Sequence, residues 1–514
     1  PIDNEPKVPV LMQIIDNGAG VRNFVDQTDF AYEGTIMTEW QGFTGPYYPK
    51  KNYDFELVDN QGNSMDSTIL GMPRESDWIF KAEYLDHTLI KNTVTYEMSR
   101  RMGTYAPRTA PCEIILDGEY QGVYFLTEKV KRDKNRVDIA KLTPADTTGS
   151  ALTGGYIFEM NINGDPADWV SDYLPINFAT CQSNVEFKMV YPKITKIQPQ
   201  QFNYIKNYAS TFEDILQSPD FMQPEGYRNW VDVPSFIDFL IVNEFSINYD
   251  SYGRSTYLFK EKDTDGGLLK IGPPWDYDRA FDYFSPQNLD LWVWKRTHDA
   301  WPFPFWWSRM WEDVSFRQQL ACRWQNLREN TLADNAFDTL IDSLGQRLDE
   351  SKDRNFRIWK DLGTMTYGEH LESLKSFTAL RLAWMDATLA AERPLATFFG
   401  QKNASNPGLW TFKPTDPNAL MVHWDFGDGE TSELHSPEHQ FKAAGTYKVV
   451  LTVKYGENCS ISGQKLLNIS VLDADSALEL PVEISPNPFF DHILVKNAPE
   501  NAVFEMTNSF GQHV

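Results

Sequence analysis

The chain has 514 residues, 72 of them acidic and 47 basic, for a formal net charge of −25. A field of that sign repels phosphate backbones and anionic lipid, so nucleic-acid binding and docking on acidic membranes are disfavoured, and many carboxylates remain for divalent cations. The length suggests two to four domains, and 41% hydrophobic residues is an ordinary share for a chain that buries large cores. No run of about 18 apolar residues exists, so no membrane-spanning helix is expected. Aromatic residues reach 14%. The plain reading is large cores; the sharper one is an exposed aromatic surface for carbohydrate or peptide.

In chain order, "KKNYDFELVD" alternates, which places Lys51, Tyr53, Phe55 and Leu57 on one strand face and Lys50 with Asn52, Asp54 and Glu56 on the other. "HTLIKNTVTYEMSRRMG" reads as a helix with Ile90, Val94, Met98 and Arg101 in register and Gly103 as its stop. "CEIILDGEYQGVYFLTEKV" reads as a hairpin turning at Asp117-Gly118, and the basic run "EKVKRDKNR" follows it. "GGYIFEMNI" reads as a strand, and "QPQQFNYIKNYASTFEDIL" and "DVPSFIDFLIVNEFSI" as helices, the second capped by Asp232. "STYLFKEKDTDGGLLKIGPPWDYDRAF" reads as a hairpin and loop, and residues 308–392 as strongly helical. After Pro394 the composition turns to short alternating strands, which predicts an all-β domain over 396–473. "DADSALELP" reads as a linker to a short β-rich segment. The fold expected is α+β: a strand-rich part and a helical part over 8–393, then a β-sandwich.

The four cysteines, Cys112, Cys181, Cys322 and Cys459, form no CxxC, so zinc has no support. Cys112 and Cys181 are a candidate disulfide pair. The opening at Pro1, without Met or an apolar leader, reads as a processed or trimmed product.

Three segments of the first domain carry chemistry. In "NYDSYGRSTYLFKEK", Asn248 and Asp250 share a face if the chain continues extended from the helix, and a carboxylate there is placed to accept a proton or hold a metal. The plain alternative is a turn or capping Asp. In "PPWDYDRAF", Asp276 and Asp278 are two apart and repel each other unless a cation lies between them; the plain alternative is a solvated pair. Lys51, on an apolar face, needs a phosphate or carboxylate partner, for which Glu97 is a candidate, or else its stem packs while its amine reaches water. No Walker motif, HExxH or GxSxG is present.

The first domain resembles the CotH family of atypical protein kinases. The motifs that carry the resemblance are "YPKKNYDFEL", "LGMPRESDWIFKAEYLDHTLIKN", "LDGEYQGVYFLTEKVKRDKNRVDI", "NEFSINYDSYGRSTYLFK" and "PPWDYDRAF", in the family's order. The resemblance implies a kinase-like fold that binds ATP with Mg²⁺ or another divalent cation and phosphorylates protein. It gives Asp250 the catalytic role, Asp276, with Asp278 or Asn248 assisting, the metal, and Lys51 the nucleotide phosphates, with Glu97 its candidate partner. The chain departs from the family at "TEWQGFTGPYYPKK", which lacks the usual Arg-Gly-Ser-Ser-rich turn and brings in Glu39, and at Lys91, where Arg is expected.

"WDFGDGETS" followed by "HSPEHQFKAAGTYKVVLTV" resembles a PKD module of the immunoglobulin-like class, with Trp424 in its core and Asp425 and Asp428 shaping a turn. The tail, "ISPNPFFDHILV" to "FEMTNSFGQHV" over 480–514, resembles the start of a type IX secretion sorting domain of Bacteroidetes. It implies export across the outer membrane to the surface or medium. Two readings stay open: an extracellular metal-dependent protein kinase, and a degenerate kinase scaffold that binds surface protein or glycan, in part through the PKD-like module. A glycan-active enzyme has only the aromatic content to prompt it.

Overall fold

The computed structural model describes residues 2–3, 5–42, 47–160, 166–248, 250, 252–282, 289–295, 301–360, 363–394, 396–416, 421–455 and 459–470, with the backbone of two short strands beyond them. Two compact units separate: residues 1–394 with 455–459, and residues 395–454 with 460–514.

In the first unit, β1 (Val8–Ile14), β2 (Tyr32–Trp40), β3 (Tyr53–Val58), β4 (Asp77–Lys81), β5 (Thr109–Leu116) and β6 (Glu119–Glu128) form one sheet in the order β1-β2-β3-β4-β6-β5. Every neighbouring pair in it is antiparallel. The β5–β6 turn is the one expected, with Asp117 and Gly118 both at positive φ, 49° and 82°, as a tight two-residue hairpin turn requires. Helix α1 (Lys91–Arg101) lies between β4 and β5 in sequence. Ile90, Val94 and Met98 are fully buried, whereas Arg101 faces solvent.

Around α2 (Gly149–Leu152) and α3 (Phe178–Cys181), a second antiparallel sheet forms from β7 (Tyr156–Met160), β8 (Trp169–Val170), β9 (Glu186–Tyr191), β10 (Thr256–Lys260) and β11 (Leu269–Ile271). Its order is β11-β10-β7-β9-β8. Between β9 and β10 run α4 (Pro199–Gln217) and α5 (Val233–Ser246). Asp232 caps α5 as the sequence predicts, accepting from the Ser235 amide at 2.8 Å. The helical end comprises α6 (Trp306–Glu312), α7 (Val314–Glu329), α8 (Ala336–Arg347), α9 (Ser351–Ile358) and α10 (Tyr367–Ala390).

The structure corrects two expectations. First, the alternation read through Lys51 does not hold, because β3 begins at Tyr53 and residues 50–52 are not yet extended strand. Lys50 is the buried lysine, at 3% exposure, with its amine on the carbonyls of Ala82 and Val123 and on Asn355. Burial pulls its pKa down to about 7. Second, Cys112 and Cys181 are both unpaired, and the disulfide joins Cys322 to Cys459. Cys112 sits in β5 of the first sheet, and Cys181 ends α3, which falls between β8 and β9 of the second sheet in sequence. The basic run is engaged with the first sheet. Lys129 pairs with Asp54, Lys131 with Glu75 and Asp77, and Arg136 lies over the Trp78 ring. These cations balance acidic side chains of their own sheet.

A buried carboxylate organises the helical end. Glu244 of α5 and Arg381 of α10 are both fully buried and meet at 3.1 Å. Glu244 also accepts from the Tyr252 hydroxyl and the Val293 and Trp294 amides, while Arg381 donates to the carbonyls of Glu244 and Leu289. A buried ion pair deprived of one partner leaves an uncompensated charge.

In the second unit, β12 (Phe398–Lys402), β13 (Leu409–Pro414) and β16 (Glu438–Gln440) form one sheet. β14 (Met421–Asp425), β15 (Thr431–Ser432), β17 (Gly445–Lys454) and β18 (Ser460–Ile469) form the other. Trp424 is fully buried, with its ring 5.1 Å from Phe398 and 5.5 Å from Phe412. Asp425 accepts from the Gly427 amide and Asp428 from the Glu430 amide, which shapes the turn. Gly427 sits at φ 80°, where an added Cβ would stand 2.6 Å from the Lys448 carbonyl oxygen. The tail at 480–514 lies outside the described residues except for the antiparallel strands β19 (Glu483–Ser485) and β20 (Leu494–Lys496).

Two predictions follow from this core. Replacing Arg381 by Met, which strands the Glu244 carboxylate, should destabilise the first unit by about 3–5 kcal/mol in thermal or denaturant unfolding; an unchanged midpoint would show that the pair is dispensable. Glu213 of α4 is buried and accepts from Ser171 and Trp306, and burial pushes its pKa up from 4.5 to about 7. Its folded form therefore holds a proton that the unfolded form has lost, and stability should fall as pH rises from 4.5 to about 7, then level off. Glu213→Gln should remove that pH-dependent component, and identical pH profiles for both proteins would contradict the assignment.

Candidate functional site

The residues singled out in the sequence come from two places in the chain that the fold joins. At the end of α5, Ile247 adopts the left-handed conformation at φ 48°, which stops the helix and turns the backbone toward Asn248 and Asp250. Asn248 donates to the Asp276 carbonyl at 3.2 Å and accepts from the Asp250 amide at 3.3 Å. The loop after β11 brings Trp275, Asp276, Tyr277 and Asp278 to the same point. Helix α1 fixes that loop from the other side. Asn92 accepts from the Tyr277 amide at 2.7 Å, the Tyr96 hydroxyl receives the Asp276 amide at 3.3 Å, and the Tyr96 ring stacks on Trp275. Asp276 itself sits at φ 68°, an uncommon conformation for a residue with a side chain, and these contacts hold it there.

The cation at this point is Lys81, the last residue of β4 in the first sheet. Its side chain is 7% exposed, its amine is 3.1 Å from Asp276 Oδ1, and it lies over the Trp275 ring at 4.6 Å. The sequence reading passed over Lys81. The available signal was a lysine closing the apolar strand "DWIF", but its partner lies 195 residues away and no local pattern announces it. Lys51, by contrast, donates to the Tyr48 carbonyl at 2.5 Å and lies over the Trp40 ring. Glu97 pairs with Arg100 at 2.7 Å and Arg101 at 3.0 Å on its own helix, which lowers its pKa against the effect of burial. Lys91 is buried and pairs with Asp282 at 2.5 Å, beside the aspartate loop.

The electrostatics separate the three aspartates. Burial works to raise Asp276, but the Lys81 charge and hydrogen bond outweigh it and hold the carboxyl below its ordinary range. Asp278 makes no ion pair among the described residues, although the charges of Lys81 and Lys91 pull it down. Burial first, and then the negative charge of Asp276, push it up to about 7. Asp250 is raised by burial, while Arg254, 2.8 Å away, opposes the rise. Glu83, which accepts from Asn92, is pushed by burial to about 8. Four carboxyls thus gather here, with Lys81 and Arg254 paired to two of them and the charges of Lys91 and Arg279 also felt.

This arrangement sits within a match to a family model described as CotH kinase protein, which covers residues 41–385. The chain belongs to the CotH family. A second model, the PKD domain, matches residues 391–471, a domain of a type involved in binding. Among curated proteins, the chain is 23% identical over 279 residues to the inner spore coat protein H of Bacillus subtilis, covering 54% of this chain and 63% of that one. It is 28% identical over 147 residues to a microbial collagenase of Vibrio alginolyticus, covering 28% of this chain and 17% of the collagenase. The chain thus spans less than two thirds of either relative. Among solved structures, the PKD1 domain of a Vibrio cholerae metalloprotease matches at 27% identity and a TM-score of 0.14, over 15% of this chain and 98% of that domain. The PKD1 domain of Vibrio anguillarum Epp matches at 22% identity and a TM-score of 0.14, over 15% of this chain and 94% of that domain. No helix among the described residues is long and apolar enough to cross a membrane.

Proposed function

We propose that the CotH domain is an ATP- and divalent-metal-dependent phosphotransferase acting on protein side chains. The observation that carries this reading is the convergence of Asp276, Asp278, Asp250 and Asn248 with one buried lysine, Lys81. The donors are hard carboxylate and amide oxygens, which suits Mg²⁺ or Mn²⁺ rather than a soft metal. Among the described residues, no three acidic, His or Cys side chains are close enough to form a metal cage on their own. Mg²⁺ itself takes one or two carboxylates and completes its shell with substrate phosphates and water.

A bound divalent ion would supply the positive charge that neutralises the transferring phosphoryl oxygens. The chain's own residues do the rest. Asp276 and Asp278, with the Asn248 side-chain oxygen, would hold the ion. Lys81 takes over in this reading the role first given to Lys51: it neutralises Asp276 until phosphates arrive and then turns its amine to them. Asp250 orients the acceptor hydroxyl and takes its proton. Such a reaction asks of a protein mainly positioning and charge neutralisation. The stretch at 38–51 that departs from the family contains residues 43–46, which lie outside the described residues. Glu39 on β2 stands opposite Asp54, with Lys7 and Lys129 close by to offset the charge of both.

The second reading, a binding scaffold on the cell surface, draws on the PKD domain. In either case we propose export to the surface or medium, on the resemblance of the tail to a secretion sorting segment.

Calorimetry of ATP with Mg²⁺, Mn²⁺ or Ca²⁺ tests the proposal. Asp276→Ala and Lys81→Met should each weaken metal–ATP binding about tenfold or more. Asp250→Asn should leave binding within about threefold yet lower phosphoryl transfer to a protein acceptor by roughly 100-fold or more. No ATP binding with any of the three metals would reject the phosphotransferase and leave the scaffold.

A further inference from the structure

The β10–β11 hairpin has a second functional-looking end. Its mouth opens at Asp276, and its closed end, residues 261–268, folds against α4 and the turn before α5. Five-residue β10 separates the two ends by about 16 Å. At the closed end lies a cleft of about 250 Å³ lined by Tyr208, Asn229, Trp230, Asp263, Gly267 and Leu268. A cleft of that size holds more than one water.

The walls are built and fixed. The Tyr208 and Trp230 rings stand 5.0 Å apart at an angle of 53°, and the Tyr208 hydroxyl donates to the Trp230 carbonyl at 2.8 Å. Lys260, whose side chain is wholly buried, lies over the Tyr208 ring at 4.6 Å. It donates to the Thr153 carbonyl and to Asp263 Oδ1, each at 2.6 Å. The Asp263 side chain is 57% exposed, and its backbone amide is pinned to the Thr153 hydroxyl. Gly267 keeps the loop folded back, since a Cβ there would stand 2.6 Å from Asp263 Cα. Asn229 is exposed on the rim; its side-chain nitrogen donates to the Pro224 carbonyl at 2.6 Å, which leaves its side-chain oxygen to accept from a sugar hydroxyl.

The charge balance selects the ligand class. A cleft of aromatic rings and one carboxylate would suit an ammonium group. Here Lys260 already occupies the cation position over Tyr208 and neutralises Asp263. What remains is a neutral site with an aromatic wall, a carboxylate edge and an amide. We propose that this cleft is a carbohydrate subsite for a neutral pyranose ring, with the sugar's C–H face on Trp230 and its hydroxyls on Asp263 and Asn229. This goes beyond the phosphotransferase reading and stands without it. A glycan held there would keep a glycosylated acceptor or a surface polysaccharide beside the aspartate site without entering it.

The test is calorimetry or saturation-transfer NMR on the full chain. The probes are neutral hexasaccharides of β-1,4-glucose, mannose and N-acetylglucosamine, with a lysine-rich peptide beside them. At least one hexasaccharide should bind with a Kd below about 10 mM. Trp230→Ala should weaken it about tenfold, Trp230→Phe should restore most of it, and Asn229→Ala should weaken it about threefold. Asp276→Ala should leave it unchanged, which separates this result from the fate of the ATP site. Should Trp230→Ala fail to fold, Asn229→Ala and Trp230→Phe decide. The proposal is overturned by no hexasaccharide binding, by binding that Trp230 and Asn229 substitutions leave intact, by loss of binding in Asp276→Ala, or by preference for the lysine peptide.

Discussion

The fully buried carboxylate of Glu244 is the constraint on which the site depends. A buried charge is tolerated only where its partners are complete. Glu244 obtains them from four directions: Arg381 of α10, the Tyr252 hydroxyl, and the amides of Val293 and Trp294. Satisfying one side chain therefore fixes α5 against α10 and anchors Tyr252, two residues beyond Asp250. Asn248 and Asp250 leave a helix end that cannot shift without breaking that set. Helix α1 does the same for the opposing loop through Asn92 and Tyr96. Two rigid supports, one on each side, hold carboxylates together against their mutual repulsion.

That repulsion is where structure becomes chemistry. Carboxylates that share a site raise one another's pKa, and the fold offsets this only partly, with Lys81 on Asp276 and Arg254 on Asp250. Asp278 is left to rise to about 7. Perturbed carboxylates gathered in one place are a mark of functional sites. The wider fold shows the contrast. Asp54, Glu75 and Asp77 are each met by lysines of the 128–136 run, so that cluster is balanced and carries no comparable demand.

What the sequence made legible was local. Asp232 as a cap, the Asp117-Gly118 turn, the Ile90/Val94/Met98 stripe and the Trp424 core of the PKD domain each rest on residues within a few positions of one another. Asp250, Asp276 and Asp278 were named because their spacing was suggestive, and the fold places them within reach of one another's charge. What escaped was long-range or depended on one residue of register. Lys81 meets Asp276 across 195 positions. The disulfide joins cysteines separated by 137. The slip between Lys50 and Lys51 arose because alternation was carried two residues past the true start of β3. Period-two patterns say which side chains share a face only while the backbone is extended.

The central claim is that the Asp276 cluster is a metal–nucleotide site whose lysine is Lys81. A crystal structure of the chain with Mn²⁺ and a non-hydrolysable ATP analogue, phased to locate the metal by its anomalous signal, tests it most directly. The account predicts a Mn²⁺ peak on the Asp276 carboxylate with Asp278 or Asn248 beside it, and the Lys81 amine moved from Asp276 to a phosphate oxygen. A metal and nucleotide bound elsewhere, with the Lys81–Asp276 pair intact at 3.1 Å, would contradict it.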